Sequence, residues 1–236
     1  MTKLQDLKLF ITPEHPCSYL DDQQATTLFA DPNTLNNHLY GQLTQIGFRR
    51  SGEHVYRPHC QQCNACIPTR IPVDVFTPSR QQKRVWTKNK DVLINKISGS
   101  ASTEHYELYE KYISTRHRDG DMYPPSEQQF HSFLFSSWSA TQCYEFRAAL
   151  DNHLLAVAVL DQIELGLSAV YTFFDPREEK RSLGVYALLW EIELAKLLGL
   201  PYLYLGYWIK ECKKMSYKGN YRPLEVFIND QWLTLL

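Results

Sequence analysis

Apolar positions change their period part-way along the chain. Leu35, Leu39, Leu43 and Ile46 recur at helical spacing behind Asp31-Pro32-Asn33-Thr34 and stop at Gly47, which predicts a first helix. Residues 48–56 read as a hairpin around Ser51-Gly52, and residues 69–76 as a strand weakened by Pro72. Pro78-Ser79 opens a basic helix that runs to Asn89. A second helix, from Thr103 to Arg116, carries Tyr106, Tyr109 and Ile113 on one face, and a third carries Phe130, Phe133 and Leu134. The first thirty residues, with two Pro and the pair Asp21-Asp22, read as an irregular lead-in.

From Cys143 the pattern becomes that of strands. Residues 144–150, 154–161 and 165–174 form an apolar, β-branched meander turned at Asp151-Asn152 and near Gly166. Asp175-Pro176 breaks it. Residues 182–198 read as an amphipathic helix with Leu183, Tyr186, Leu189, Trp190, Leu194 and Leu197 as its stripe, ended by Gly199 and Pro201. Another strand spans 202–209, and 225–228 with 231–235 close the chain as a hairpin at Asn229-Asp230. A right-handed crossover makes the strands at Val170 and Leu203 parallel neighbours.

Three strands followed by strand–helix–strand is the order of the acetyltransferase-like (GNAT) fold. The expected class is α+β: a GNAT-like C-terminal domain at residues 101–236, preceded by a Cys-bearing N-terminal α+β domain with the basic helix at residues 1–100. In such a fold two neighbouring strands splay to open a cleft. The helix start Lys180-Arg181-Ser182-Leu183-Gly184 then offers amides, a dipole and two cations to an anion. An ordinary exposed helix start fits that stretch equally well.

Composition narrows the class. Of 236 residues, 44% are hydrophobic and 13% aromatic, as in a globular protein. No apolar run approaches the ~20 residues of a membrane span, and residues 1–10 lack the apolar core of a secretory signal. A cytoplasmic protein with no membrane partner is expected. The formal net charge of -1 excludes a uniformly basic protein, yet charge is segregated. Seven Lys or Arg face two Asp between Arg70 and Lys96, and five face one Glu between Ile209 and Arg222. That suits a phosphate-facing surface or, as well, two solvated faces.

The sharpest local motif is Cys60-Gln61-Gln62-Cys63-Asn64-Ala65-Cys66, whose spacing lets three thiolates converge. Cys17 is the candidate fourth. Four thiolates suit tetrahedral zinc or an iron–sulfur cluster, and reduced thiols tightening a loop are the alternative. Six cysteines are too few for a disulfide scaffold, which agrees with a reducing compartment. Cys143 reads as core and Cys212 as structural. There is no Gly-x-Ser-x-Gly elbow, Walker loop or Gly-x-Gly-x-x-Gly turn, so hydrolase, kinase and dehydrogenase chemistry find no support. The second rich stretch is 202–223, an aromatic strand running into a loop of Lys and Tyr. Aromatic faces stack on bases while cations hold phosphates, the combination used on single-stranded ends; a core strand with a solvated loop is the plainer reading.

Pro16-Cys17-Ser18-Tyr19-Leu20, the Tyr56-Arg57-Pro58 to Arg70 stretch with its three Cys, Ser79-Arg80 with Lys83-Arg84, Asp175-Pro176 with Ser182-Leu183-Gly184, and Tyr204-Leu205-Gly206-Tyr207-Trp208-Ile209 leading to Cys212-Lys213-Lys214-Met215 and Tyr217-Lys218 together resemble the arginyl-tRNA–protein transferase family. The bacterial aspartate/glutamate leucyltransferase branch is the nearer match. In the basic helix that branch reads Ser-Arg-Ser-Gln-Arg-Arg; Gln81 and Lys83 depart from it, and Lys83 keeps the charge without the guanidinium fork. The resemblance implies transfer of leucine from leucyl-tRNA to proteins beginning with Asp or Glu, which marks them for N-end-rule degradation. It implies a two-part architecture, and for some relatives a metal or cluster at the cysteines.

Such a reaction needs no cofactor, because the aminoacyl ester is already activated. Orientation, oxyanion stabilisation and one proton transfer suffice. Tyr207, Tyr217 and Lys218 are the candidate catalytic residues. Arg80, Lys83, Arg84, Lys88, Arg181, Ser182 and Gly184 are the candidate tRNA-binding residues. Lys213, Lys214 and Arg222 are candidates for the acceptor, with Arg49, Arg57 and Arg70 next in line. Two rival readings are an acetyl-coenzyme A-dependent GNAT N-acyltransferase, whose Gly-rich pyrophosphate turn is absent, and a non-catalytic, zinc-stabilised RNA-binding module.

Overall fold

The structure, a computed structural model, describes residues 7–97 and 101–236. The expected lead-in forms short strands instead: β1 (Leu9–Ile11), β2 (His15–Pro16), β3 (Gln24–Ala25) and β4 (Thr27–Ala30). Residues 1–6 of that lead-in, and of the stretch read as carrying no secretory signal, lie outside the described residues. Strands this short show no period in the sequence; their pairing partners hold them. β1, β4, β6 (His54–Pro58) and β5 (Arg49–Ser51) join in the order β1-β4-β6-β5. Between them α1 (Asn37–Gln45) starts two residues after Leu35, because Asn36 accepts from the Leu39 amide and caps it there.

The remaining strands build one eight-stranded sheet, ordered β14 (Gln231–Leu235), β13 (Leu224–Ile228), β7 (Ile67–Pro72), β12 (Tyr202–Trp208), β11 (Gly166–Phe174), β10 (Leu154–Ile163), β9 (Thr141–Ala148) and β8 (Val92–Lys96). Strand β8 was not expected from the sequence; it is a short edge strand, mostly facing solvent. Strand β7 ends at Pro72, earlier than expected, since Val73–Val75 curl into a 3-10 turn. Strands β7 and β8 both precede residue 100 and both belong to this sheet. The expected domain boundary itself falls on residues 98–100, outside the described residues.

Helices cover both faces. On one side, α5 (Leu183–Leu197) packs over β10, β11 and β12, with α2 (Arg80–Lys88) against it, around a core that includes Ile71, Phe146, Leu167, Ile192 and Leu203. On the other, α3 (Thr103–Arg116) and α4 (Glu127–Leu134) cover Val157, Val159 and Phe173 with Tyr109, Ile113 and Phe130. The expected single stripe on α5 is corrected by the structure. Ala187, Leu188, Glu191, Ile192 and Ala195 are buried as well, while Leu197 is 83% exposed. A helix crossing the middle of a wide sheet beneath a second helix is buried on more than one side.

The four-stranded sheet is locked to the large one by Arg50 and Asp161. Their side chains are fully buried, with Nε to Oδ2 at 2.6 Å and Nη2 to Oδ1 at 2.9 Å. Arg50 also donates to the carbonyls of Gly52 and Leu134. Every strand contact in the large sheet is antiparallel except β11 with β12.

Candidate active site

The parallel pair is short. Gly166, Leu167 and Ser168 face Tyr202, Leu203 and Tyr204, and there the pairing ends, although β11 continues to Phe174 and β12 to Trp208. Both strands are bulged at this point: the β10–β11 register shifts opposite Ala169 and Tyr171, and the β12–β7 register shifts between Tyr204 and Gly206. Arg49, at the start of β5, sits where the strands part. Its Nη1 donates to Ser168 Oγ at 2.9 Å and to the Tyr204 carbonyl at 3.4 Å, and its Nη2 to the Ala169 carbonyl at 2.5 Å. The guanidinium thus satisfies ladder acceptors that the separation releases. Gly206 allows this approach: its φ is +80°, and a Cβ there would lie 2.7 Å from Arg49 Nε.

Polar groups gather around the opening. Thr172, on β11 beyond the split, donates to Glu191 of α5 at 3.4 Å. Burial holds the Glu191 carboxyl up at about 8, against the opposing pull of Thr172 and Arg49. The Tyr217 side chain is 42% exposed, yet its hydroxyl is pushed up to about 12 by burial and then by Glu191 and Tyr112. It therefore lies across the boundary between solvent and the buried acid. Lys218 is buried, and burial followed by Arg49 brings its amine down to about 7. Four buried side-chain atoms here lack hydrogen-bond partners among the described residues: Tyr171 Oη, Glu191 Oε2, Tyr221 Oη and Arg222 Nη1.

Of the three side chains named for catalysis, Tyr217 and Lys218 therefore flank the opening. Lys218 Nζ donates to the Tyr207 carbonyl at 2.6 Å and to Met215 Sδ at 3.3 Å. The Tyr207 hydroxyl points elsewhere, donating to the carbonyls of Gly47 and Tyr56 at 3.0 and 3.1 Å. Among the acceptor candidates, Lys214 pairs with Asp119 at 2.8 Å, Lys213 is exposed and has no ion pair among the described residues, and Arg222 keeps its buried Nη1. Arg57 is committed to the Ile46 carbonyl and Arg70 to Glu225. Glu191 and Thr172 escaped the sequence reading, and Tyr221 entered it only as part of the stretch 202–223. Only one signal marked Glu191, an acid on the α5 turn that otherwise reads Leu-Leu-Trp-x-Ile.

Arg80, Lys83 and Arg84 stand exposed on α2, with no ion pair among the described residues. Ser79 and Gln82 close a capping box at its start. Arg80 and Lys83 occupy the first turn, where the helix dipole disfavours cations, so helix stability does not explain them. Lys88 Nζ donates to the Lys180 carbonyl at 2.6 Å and Asn89 to the Arg181 carbonyl at 2.9 Å, which places the end of α2 beside the start of α5. Arg181 is held bidentately by Asp91 at 2.8 and 2.9 Å. Ser182 adopts a left-handed conformation at the α5 start, and Gly184 packs on Phe174.

Cys17, Cys60, Cys63 and Cys66 are free, half-buried and line one pocket with Tyr19, Gln24 and Pro58. Burial and the other three thiols push Cys66 up to about 12, against the pull of Lys218. The donor set would suit zinc, but among the described residues no three His, Cys, Asp or Glu side chains converge closely enough to hold an ion. As arranged, the four thiols form no metal-holding group. That effect of Lys218 on Cys66 is the link between the thiol pocket and the cationic loop. No helix among the described residues is long and apolar enough to cross a membrane.

Known proteins resemble the chain from end to end. It is 57% identical over 237 residues to the aspartate/glutamate leucyltransferase of Saccharophagus degradans, and 56% and 54% identical over 236 residues to those of Pseudomonas fluorescens and Hahella chejuensis, with 100% of each chain covered. Among solved structures, L-PGS from Bacillus licheniformis covers 72% of this chain and 50% of its own, at 10% identity and a TM-score of 0.48. The description "Arginine-tRNA-protein transferase, N terminus" matches residues 15–84 and "Arginine-tRNA-protein transferase, C terminus" residues 104–228. With both halves matched in order, the chain belongs to the arginine-tRNA–protein transferase family.

Proposed function

We propose that this protein transfers leucine from leucyl-tRNA to the α-amine of proteins beginning with Asp or Glu. The observation that carries this reading is 57% identity to an aspartate/glutamate leucyltransferase across the full length of both chains. The opening between β11 and β12 supports it, as a place for the terminal adenosine and its ester. We read the C-terminal part as GNAT-like on the same ground, a parallel pair that parts beside a crossover helix. The domain division near residue 100 belongs to that reading.

The roles divide by position. Arg80, Lys83, Arg84 and Lys88 lead tRNA phosphates along α2 towards the start of α5, where Ser182 and Gly184 present backbone. Arg181, bound to Asp91, holds that junction together. Tyr217 and Lys218 flank the reacting ester, and Tyr207 braces the strand behind them. Lys213, with Arg222 beside it, meets the acceptor's side-chain carboxylate; Lys214 is engaged by Asp119. An acceptor α-amine, with a pKa of about 7.7–8, is partly neutral at the pH of the cytosol, where charged tRNA is made. The ester needs no further activation and no cofactor. The product carries an N-terminal leucine, which fits N-end-rule degradation. The experiment supplies leucyl-, arginyl- and phenylalanyl-tRNA in parallel to an Asp-started peptide. Leucine alone, or leucine most strongly, is expected on the product; arginine in its place, or no transfer, would overturn the reading.

A further inference from the structure

Helix α5 buries a carboxylic acid that packing does not require. Glu191 is 0% exposed, and its neighbours Trp190 and Ile192 belong to the apolar core. Thr172 reaches its Oε1 at a long 3.4 Å, and Oε2 has no hydrogen-bond partner among the described residues. A Leu or Met there would avoid the cost of taking a carboxyl out of water. Stability therefore does not account for the side chain.

Its surroundings describe what it would bind. The charged and titratable groups facing Glu191 are Arg49 from β5 and Tyr217 and Tyr221 from the loop after β12. The Arg49 amino groups are committed to Ala169, Ser168 and Tyr204, and no ion pair joins Arg49 to Glu191. The Tyr221 hydroxyl, like Glu191 Oε2, has no partner among the described residues. Carboxyl and phenol oxygens without a cation of their own suit a small group with several N–H donors. A primary ammonium has three. The cluster also lies where β11 and β12 have parted, the place assigned above to the aminoacyl ester.

On the leucyl-transfer reading, we infer that Glu191 receives the α-ammonium of the acceptor's first residue and takes the proton that must leave before that amine reacts. The ammonium gives one proton to the Glu191 carboxylate. The freed amine forms the C–N bond to the leucyl carbonyl carbon as the C–O bond to the ribose breaks. A second proton passes from that nitrogen to the departing ribose oxygen, the third stays on the new amide, and Glu191 releases its proton to solvent. The Glu191 carboxyl, held up at about 8 by burial, stands close to the amine's own range of about 7.7–8, so the first transfer is nearly balanced. The leucyl group carries an ammonium too, but it need lose no proton.

The test is Glu191→Gln, which keeps the volume and the neutral state of the buried acid. Expected is a fall of about tenfold in kcat/KM for an Asp-started peptide at pH 7, where only about a tenth of the peptide amine is neutral unaided. Leucyl-tRNA should bind as before, and the deficit should narrow towards pH 9 as the peptide amine loses its proton unaided. A kcat/KM within about threefold of wild type overturns the inference, as does a deficit constant with pH. Loss of the preference for leucyl-tRNA over uncharged tRNA overturns it also, because the leucyl ammonium would then be the occupant. If E191Q fails to fold, Glu191→Asp is read instead: a shortened acid should keep the wild-type shape of the pH profile at a lower rate, and a full rate counts against the role. Wild-type protein that transfers no leucine refutes the leucyl reading; wild type and E191Q that transfer equally refute only this one.

Discussion

Two side chains at the parting of β11 and β12 carry opposite physical burdens. Arg49 is charged and amply hydrogen-bonded, whereas Glu191 is buried with half its acceptors unused. The acid's raised position has a definite consequence for stability. Its folded value of about 8 lies above the carboxylate range of the unfolded chain, so the native state binds the extra proton between those values. Stability from this group therefore falls as pH rises from the ordinary Glu range through about 8. E191Q should unfold at higher urea than wild type at pH 8.5, with the gap closing towards pH 5; a gap independent of pH would contradict the buried acid. Gly206 offers a second check. Gly206→Ala puts a Cβ into positive φ and against Arg49, so we expect a loss of at least about 1 kcal/mol in urea unfolding, with transfer activity falling too. Residues of this kind were hard to read in advance. Cys60, Cys63 and Cys66 announced themselves by spacing, but Arg49 looks like its neighbour Arg50, and only the fold sends one to the opening and the other to Asp161.

Helices and long strands were legible because their periods run for two turns or more. The sequence placed the meander β9–β11, the crossover α5 and the parallel strand after it, and the structure has all of them. It missed β1 to β4 and β8, whose few residues carry no period and whose pairing is decided by distant chain. It drew a single stripe on α5 where the wide sheet and α2 bury more. Two elements can be tested alone. Asp161→Asn leaves Arg50 charged and unpaired between the two sheets, so a loss of roughly 3–5 kcal/mol in denaturant unfolding is expected. A loss below about 1 kcal/mol would mean the sheets are held by apolar packing. On α2, Arg80, Lys83 and Arg84 changed together to Ala should weaken tRNA binding and reduce the slope of log affinity against log salt by about two to three. An unchanged slope would show that α2 faces away from the tRNA.

At the scale of the whole molecule, the large sheet is built from strands of both halves of the sequence. Strand β7, which follows the cysteine motif, lies between β12 and the C-terminal hairpin, which brings the cysteines towards the cationic loop, where the Lys218 charge acts on the Cys66 thiol. That arrangement could not be read from the sequence, since β7 and β12 are separated by more than half the chain. It brings helix α2 and the cationic loop, to which the proposed function assigns the tRNA and the acceptor, to the same side of the crossover helix. The acceptor end of the account is the more exacting. A charge-assisted bond to the acceptor carboxylate is worth about 1.5–3 kcal/mol, and a site built for it rejects the neutral amide. The most direct measurement is therefore leucine transfer from leucyl-tRNA to peptides that differ only in their first residue. Asp and Glu should accept leucine, Asn should be slower by tenfold or more, and N-acetylated Asp should accept none. Equal labelling of Asp and Asn, or labelling of the acetylated peptide, would contradict the account.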